Sequence, residues 1–289
     1  GVAECIAGLS KTYFGRWSDL INRRAPFIQL GYTLSAISKP LMAIMPNVLF
    51  VFTSRTIDRI GKGIRTGARD AMLSDECNAE NKASVFGFHR SMDTIGAVLG
   101  PSLALLYLYY NPVDYKSLFY LAFIPGVMAI GLSLFLKDKT TRLKQVKMKP
   151  GIIESFKYWR ESNRDYKHLI IPLVLFALVN SSDVFLLLKM KDCGIEDHRL
   201  ILIYIFYNIV YVILAYPLGI LADKIGLRKI FLFGLILFSV VYFGFSTIHD
   251  WQGFIVLFFL YGIYAASTEG IAKAWISLIA AKAETATAI

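Results

Sequence analysis

The feature that most constrains this chain is a series of long stretches almost empty of charge. Residues 118–136, 200–221 and 230–245 contain no Asp, Glu, Lys or Arg, and residues 169–188 contain a single acid, Asp183. A hydrocarbon layer about 30 Å thick is crossed by about 20 apolar helical residues, so stretches of this length fit a bilayer better than the core of a soluble domain. Irregular backbone facing lipid would leave its N–H and C=O groups unpaired, which makes each stretch a helix. Composition agrees: 56% of the 289 residues are hydrophobic and 18% are charged, with a mean hydropathy of +0.53. Soluble domains run at roughly 45–50% and about 25%. The expected class is an all-α, multi-pass transmembrane protein, which excludes a secreted domain, a nucleic-acid binder and a soluble enzyme.

Nine apolar segments are expected, at residues 1–14, 26–45, 47–67, 84–109, 117–136, 168–188, 200–222, 230–248 and 252–272. The net charge of +10 collects in alternate linkers: residues 15–25, 68–83, 137–167, 223–229 and the tail after Lys273. A bias of Lys and Arg towards one side places those linkers in the cytoplasm. The longest, residues 137–167, is strongly basic and suits either anionic lipid heads or a simple topology signal. Cys5, Cys77 and Cys193 are far apart and indicate neither a disulfide framework nor a zinc site. No phosphate-cradling loop, metal cluster or nucleophile constellation is visible, so no cofactor is expected.

An internal repeat decides the architecture. The loop Gly15–Arg24 has Gly15 four residues before Asp19, then Arg23 and Arg24. The same order returns in Gly219, Asp223, Lys224, Gly226, Arg228 and Lys229. Six helices separate the copies, and the basic linker lies between them. Repeated halves of this kind mark secondary transporters, whose substrate site lies between two bundles. The division expected is an N-terminal bundle at 1–136, a linker at 137–167 and a C-terminal bundle at 168–289.

These loops resemble the motif G-x-L-A-D-R-x-G-R-R/K of the major facilitator superfamily, which lies between its second and third helices and again between its eighth and ninth. The first copy departs from it at Leu20, for the usual Arg, and at Asn22, for the usual Gly; the second has Leu227 where a base is common. A further family pattern, G-x-x-x-G-P, matches Gly96, Gly100 and Pro101, and the fourth-helix Arg matches Arg55, with Arg59 where Gly is expected. The resemblance implies two pseudo-symmetric helix bundles with nine of twelve spanning helices present, the first and the last two lying outside this sequence. It also implies that the loops latch the bundles in one state, which gives Asp19, Arg23 and Arg24 a gating role. The glycine–proline element is associated with antiporters in the family, which points to efflux.

Candidate residues for substrate and proton handling follow from charge inside apolar helices, which is expensive unless it is paired or faces a wet cavity. Arg55, Asp58 and Arg59 recur at helical spacing, fit a bundle interior, and suit an anionic substrate or proton coupling; a salt-bridge network at the cytoplasmic mouth is the competing reading. Glu4, Asp93, Asp183 and Glu269 are the acids within apolar helices. Asp183 and Glu269 are the expected proton carriers, although Glu269 also has Lys273 one turn on; Asp93 suits a local pair with Arg90 and His89. Gly96, Gly100 and Pro101 are expected to serve helix packing. Tyr107, Tyr109, Tyr110, Tyr204, Tyr207, Tyr211 and Trp251 suit interfacial belts.

The functional expectation is therefore a non-enzymatic, proton-coupled secondary transporter that exports a small organic molecule. A symporter importing a metabolite is the nearest alternative, and a membrane sensor or enzyme on the same fold is a remoter one. The partners expected are the lipid bilayer, a small-molecule substrate and protons, with no nucleic acid, for a monomer in a cell membrane, the inner one in a bacterium.

Overall fold

The computed structural model describes residues 2–44, 47–138 and 158–289. Among them there is no strand. The helices are α1 (Val2–Ile21), α2 (Ala25–Ile44), α3 (Val48–Glu76), α4 (Lys82–Tyr110), α5 (Tyr115–Ser133), α6 (Arg164–Val179), α7 (Asp183–Asp192), α8 (Asp197–Ile225), α9 (Leu227–Thr247), α10 (Trp251–Ile279) and α11 (Thr285–Ala288). Six stretches among the described residues are long and apolar enough to cross a membrane: Lys82–Tyr110, Tyr115–Ser133, Arg164–Asp192, His198–Ile225, Leu227–Thr247 and Trp251–Ile279. The expectation of nine is thus met by six on length and hydropathy. Polar residues such as Lys39 in α2 and the charged series in α3 lower the mean there.

The chain forms two compact units, and the boundary cuts α4 between Ser102 and Leu103. One unit holds Gly1–Glu76, Leu103–Asn163 and Ala280–Ile289. Its α2 and α3 touch backbone to backbone: a Cβ added to Gly31 would lie 2.6 Å from Gly61 O, and one added to Gly61 would lie 2.7 Å from Gly31 O. Small residues are what allow helices to approach so closely without a hydrophobic drive from water. Phe27, Ile28, Ile64 and Ala68 fill the adjoining core. Asp114 caps α5, accepting from Ser117 N at 3.1 Å and from the Tyr107 hydroxyl at 2.9 Å. Those donors favour the ionised form, and the Ser117 bonds hold the Asp114 carboxyl below the usual aspartate range.

The other unit holds Cys77–Ser102 and Arg164–Ile279. Here α10 packs on α8 and α9, and its core includes Met190, Ile203, Val241, Phe254 and Phe258. Large apolar side chains on the outer faces stay open, as lipid contact requires: Leu178 is 79% and Phe243 73% exposed. The stretch expected as one helix over 168–188 is broken, because residues 180–182 leave the helix between α6 and α7. Asn and Ser side chains compete with the helix for backbone partners, and tertiary bonds reward the break. Ser181 Oγ lies 2.6 Å from the Tyr242 hydroxyl, and Tyr261 donates to Asp183 Oδ1 at 2.6 Å.

Candidate functional site

Both copies of the repeated loop turn on a residue with positive φ, Asn22 at 51° and Gly226 at 108°. Asn tolerates the left-handed region better than other non-glycine residues, so Asn22 does the work of the glycine it replaces. Each loop then receives the first turn of another helix in the same way. In the first, Asp19 Oδ2 accepts from Thr287 N at 2.7 Å and from the Thr287 hydroxyl at 2.6 Å, and Oδ1 accepts from Ala286 N at 3.3 Å. In the second, Asp223 accepts from Ala83 N and Ser84 N, each at 2.8 Å. A carboxylate at a helix N-terminus satisfies amides that have no intrahelical partner and meets the positive end of the helix dipole.

The glycines make this docking possible. A Cβ on Gly15 would lie 2.7 Å from Ala286 O, and one on Gly219 would lie 2.5 Å from Ala83 O. Thus α11 sits on Gly15 and Asp19 as the first turn of α4 sits on Gly219 and Asp223. The tail beyond residue 273, expected as a loop, instead continues α10 to Ile279 and then supplies the helix start that Asp19 holds.

The copies differ in charge. Arg24 is buried, pairs with Asp19, donates to Ser18 Oγ at 3.0 Å and lies 3.8 Å from Asp75. Its neighbour Arg23 is exposed. In the second copy Lys224, Arg228 and Lys229 are all exposed, and among the described residues none forms an ion pair with Asp223. Arg228 instead lines a cavity of about 690 Å³ with Arg164, Asp165, His168, Phe231 and Trp275. Burial raises the Asp19 carboxyl above the usual aspartate range, and Arg24 and Thr287 oppose the rise. Burial also raises Glu284, and the charge of Asp19 adds to the effect.

Of the three charged residues singled out in α3, Asp58 pairs with Lys39 of α2 at 3.2 Å. Arg59 is half-buried, while Arg55 is exposed and has no partner among the described residues. Lys39 is a residue that sequence reasoning missed, and its position in an otherwise apolar helix was the signal available.

The second unit gathers a denser cluster. Arg90 of α4 is in direct contact with Glu269 of α10, and Tyr211 of α8 bonds to both, accepting from Arg90 Nε at 3.0 Å and donating to Glu269 Oε2 at 2.8 Å. Arg90 also lies 4.0 Å from Asp93, and His89 lies 3.9 Å from the same carboxylate. Asp183 stands at the start of α7 with one oxygen on Tyr261; its other oxygen has no bond among the described residues. Tyr207, Tyr211, Tyr261 and Tyr264 are each under 5% exposed and pack as a stack of rings in this unit. Tyr207 and Tyr211 are therefore core residues, a correction to their placement in an interfacial belt; the Tyr211 hydroxyl is held by Arg90 and Glu269, partners that the apolar pattern did not reveal. Tyr109 and Tyr110 are exposed.

The helix contact expected at Gly96 and Gly100 is not formed among the described residues, where a Cβ on either would meet nothing within 4 Å. The polar and close contacts of α4 in its unit lie in its first turns, and Pro101, Ser102 and Leu103 are exposed. The Glu4 side chain and most of the basic linker, residues 139–157, lie outside the described residues.

The family profile of the Major Facilitator Superfamily matches residues 2–196 and 173–289. An uncharacterized MFS-type transporter of Methanocaldococcus jannaschii is 31% identical over 296 residues, spanning all of this chain and 72% of that protein. An uncharacterized protein of Mycobacterium tuberculosis is 29% identical over 143 residues, 49% of this chain and 35% of its own length. Among solved structures, the human organic anion transporter MFSD10 (TETRAN) aligns with a TM-score of 0.75 at 14% identity over 99% of this chain and 71% of its own. The proton:xylose symporter XylE aligns at 0.70 and 13%, over 99% of this chain and 73% of its own. At these identities the structural likeness concerns the fold.

Proposed function

The chain belongs to the major facilitator superfamily, a family of multi-pass membrane transporters, and on that premise we propose that it exports a small organic molecule in exchange for protons by alternating access. The observation that carries this reading is the duplicated latch. Asp19 and Asp223 hold helix starts by hydrogen bonds to amides, with a glycine at each contact. Such contacts are few, polar and local, so they can form in one state and release in another. A fixed interface would be built from apolar burial instead. Within this reading the chain supplies nine of twelve spanning helices, divided as 1–136 and 168–289 about a linker, and acts as a monomer in a cell membrane.

Two carboxylates inside apolar stretches, Asp183 and Glu269, support proton coupling, since a partly buried acid is neutral or charged according to what surrounds it. Arg55, with Asp58 and Arg59 deeper in α3, is assigned to an anionic part of the substrate. The order Gly96, Gly100, Pro101 supports export. The test is proton-linked flux of a compound panel by the complete protein in liposomes. Asp183→Asn or Glu269→Gln is expected to abolish accumulation driven by a proton gradient and to spare exchange of substrate down its own gradient. Proton-driven accumulation unchanged in both single variants would remove the coupling assignment.

A further inference from the structure

The second unit holds a cavity that the transport reading does not use. Helices α6, α9 and α10 meet at Phe176, whose ring centroid lies 5.1 Å from that of Phe238 and 6.2 Å from that of Tyr264. Towards the start of α6 and α9 and the end of α10, the same helices line the cavity of about 690 Å³. Its rim and its floor differ in chemistry. Arg164, His168 and Arg228 line the rim and are exposed, with Asp165 as the one acid among the lining residues. None of the three bases is ion-paired with a described residue. Leu173, Leu235 and Trp275 lie further in, and Trp275 packs edge-on to Phe231 with 6.1 Å between ring centroids.

The stretches Arg164–Asp192 and Leu227–Thr247 are long and apolar enough to cross a membrane, and both begin at this cavity. It therefore lies at a membrane interface, on the face where the sequence gathers its Lys and Arg. From Arg164 to Leu173 and from Arg228 to Leu235 the lining runs about 10–13 Å along the helices. The headgroup layer of one leaflet is about 5–8 Å thick, so the apolar part of the cavity reaches the level of the acyl chains. A soluble anion has no use for such a floor, and an apolar molecule has none for the rim. We infer that the cavity binds one phospholipid with an anionic headgroup, its phosphate held between Arg164 and Arg228 and an acyl chain laid along Leu173 and Leu235. Guanidinium groups suit this role because their planar fork meets two phosphate oxygens at once.

Two further observations favour an anion that bridges these helices. By the repeat, the start of α9 corresponds to the start of α2, where Asp138 Oδ1 accepts from Arg24 N at 2.6 Å and from Ala25 N at 3.0 Å. At α9 the corresponding residues are Arg228 and Lys229, and no side chain among the described residues caps the helix. A helix start that takes a carboxylate in the first repeat thus borders the basic cavity in the second. In addition, Tyr166 and Leu169 are the buried side chains of α6 among the described residues. A helix so lightly covered gains from a ligand that ties it to α9, because whatever binds the folded form alone adds to its stability. The lipid site does not depend on the transport reading.

The test uses the complete protein in detergent, titrated with phosphatidylglycerol or with phosphatidylcholine of the same chains, and reads bound lipid by native mass spectrometry and the thermal midpoint alongside. One phosphatidylglycerol is expected to bind and to raise the midpoint, and phosphatidylcholine to do neither. Arg164→Gln and Arg228→Gln should each weaken binding about fivefold, and the double variant about 25-fold. Lys137→Gln, which removes an exposed charge elsewhere on the basic face, should stay within about twofold of wild type. Leu232→Trp keeps every charge and puts a larger side chain on a lining residue that is 46% exposed and so tolerates it; it should lose the bound lipid. Equal weakening in Lys137→Gln overturns the proposal in favour of diffuse surface attraction. A midpoint raised as much by inorganic phosphate also overturns it, since the rim alone then suffices. Binding unchanged in both the double variant and Leu232→Trp shows that another part of the complete protein covers the cavity, and a midpoint that rises with protein concentration in place of lipid shows that a second copy does; either result overturns the lipid site.

Discussion

Replacing Asp19 by Asn separates the two latches, because the copies share a geometry but not a charge environment. Arg24 is 5% exposed, and its nearest carboxylate is Asp19. Removing the charge while keeping the shape leaves that guanidinium buried without its counter-ion, a change worth about 3–5 kcal/mol. Asp75, at 3.8 Å and on a more open side chain, returns about 0–1 kcal/mol of this. The expected net loss is about 3 kcal/mol. For Asp223→Asn no cation is stranded among the described residues, and two charge-assisted bonds become neutral or are lost, about 1 kcal/mol. The difference of about 2 kcal/mol corresponds to roughly 4–8 °C in thermal midpoint for a unit of this size. The assay is thermal unfolding of the purified complete protein in detergent for Asp19→Asn, Asp223→Asn and the double variant Asp19→Asn with Arg24→Met. The double variant, which removes the stranded charge, should lie above Asp19→Asn alone. On the proposal that the latch acts in one state only, about 3 kcal/mol also shifts the balance of states more than 100-fold, so flux should fall steeply in protein that is still inserted. Equal midpoints for the two single variants, or a double variant below Asp19→Asn, would refute the charge argument; wild-type flux from well-inserted Asp19→Asn would refute the gating role.

Three further outcomes follow from close approaches and backbone angles. Gly15→Ala and Gly219→Ala should each lower the thermal midpoint and slow flux, because the new methyl meets a backbone carbonyl at 2.7 or 2.5 Å, whereas Gly96→Ala should stabilise by up to about 1 kcal/mol, since it meets nothing within 4 Å and removes a helix glycine. Equal losses at all three positions in the same melting assay would count against this ranking. Asn22→Gly should leave the midpoint within about 0.5 kcal/mol of wild type, while Asn22→Val should cost about 1–2 kcal/mol at a φ of 51°; a tolerated valine would show that the turn relaxes. Ser182→Ala should leave the midpoint close to wild type, because the Ser182 side chain makes no capping bond, whereas Tyr242→Phe should lower it by about 1 kcal/mol through loss of the bond to Ser181. The reverse order would show that the helix break is held from the sequence side.

Charge-free runs and their lengths were enough to place this chain in a membrane as a helical protein, because a bilayer permits only a few ways of satisfying the backbone. The repeated Gly and Asp, at equal spacing in both loops, together with the other motif matches, were enough to point to the family. The sequence also marked Asp183 and Glu269, since acids in apolar helices stand out. What it could not supply was the identity of their partners. Arg90 and Tyr211 are 58 or more residues from Glu269 along the chain, and only the packing of α4, α8 and α10 brings them together. Nor does spacing reveal that Asp19 and Asp223 each hold the start of a distant helix, or that Arg24 is buried beside its aspartate while Arg228 faces a cavity. The break at residues 180–182 was hidden for the same reason: local composition reads as one apolar helix, and the bonds from Tyr242 and Tyr261 that favour a break come from other helices. Periodicity records what each segment must bury, whereas pairing of polar groups across helices is fixed by which segments meet, and that is a property of the tertiary structure.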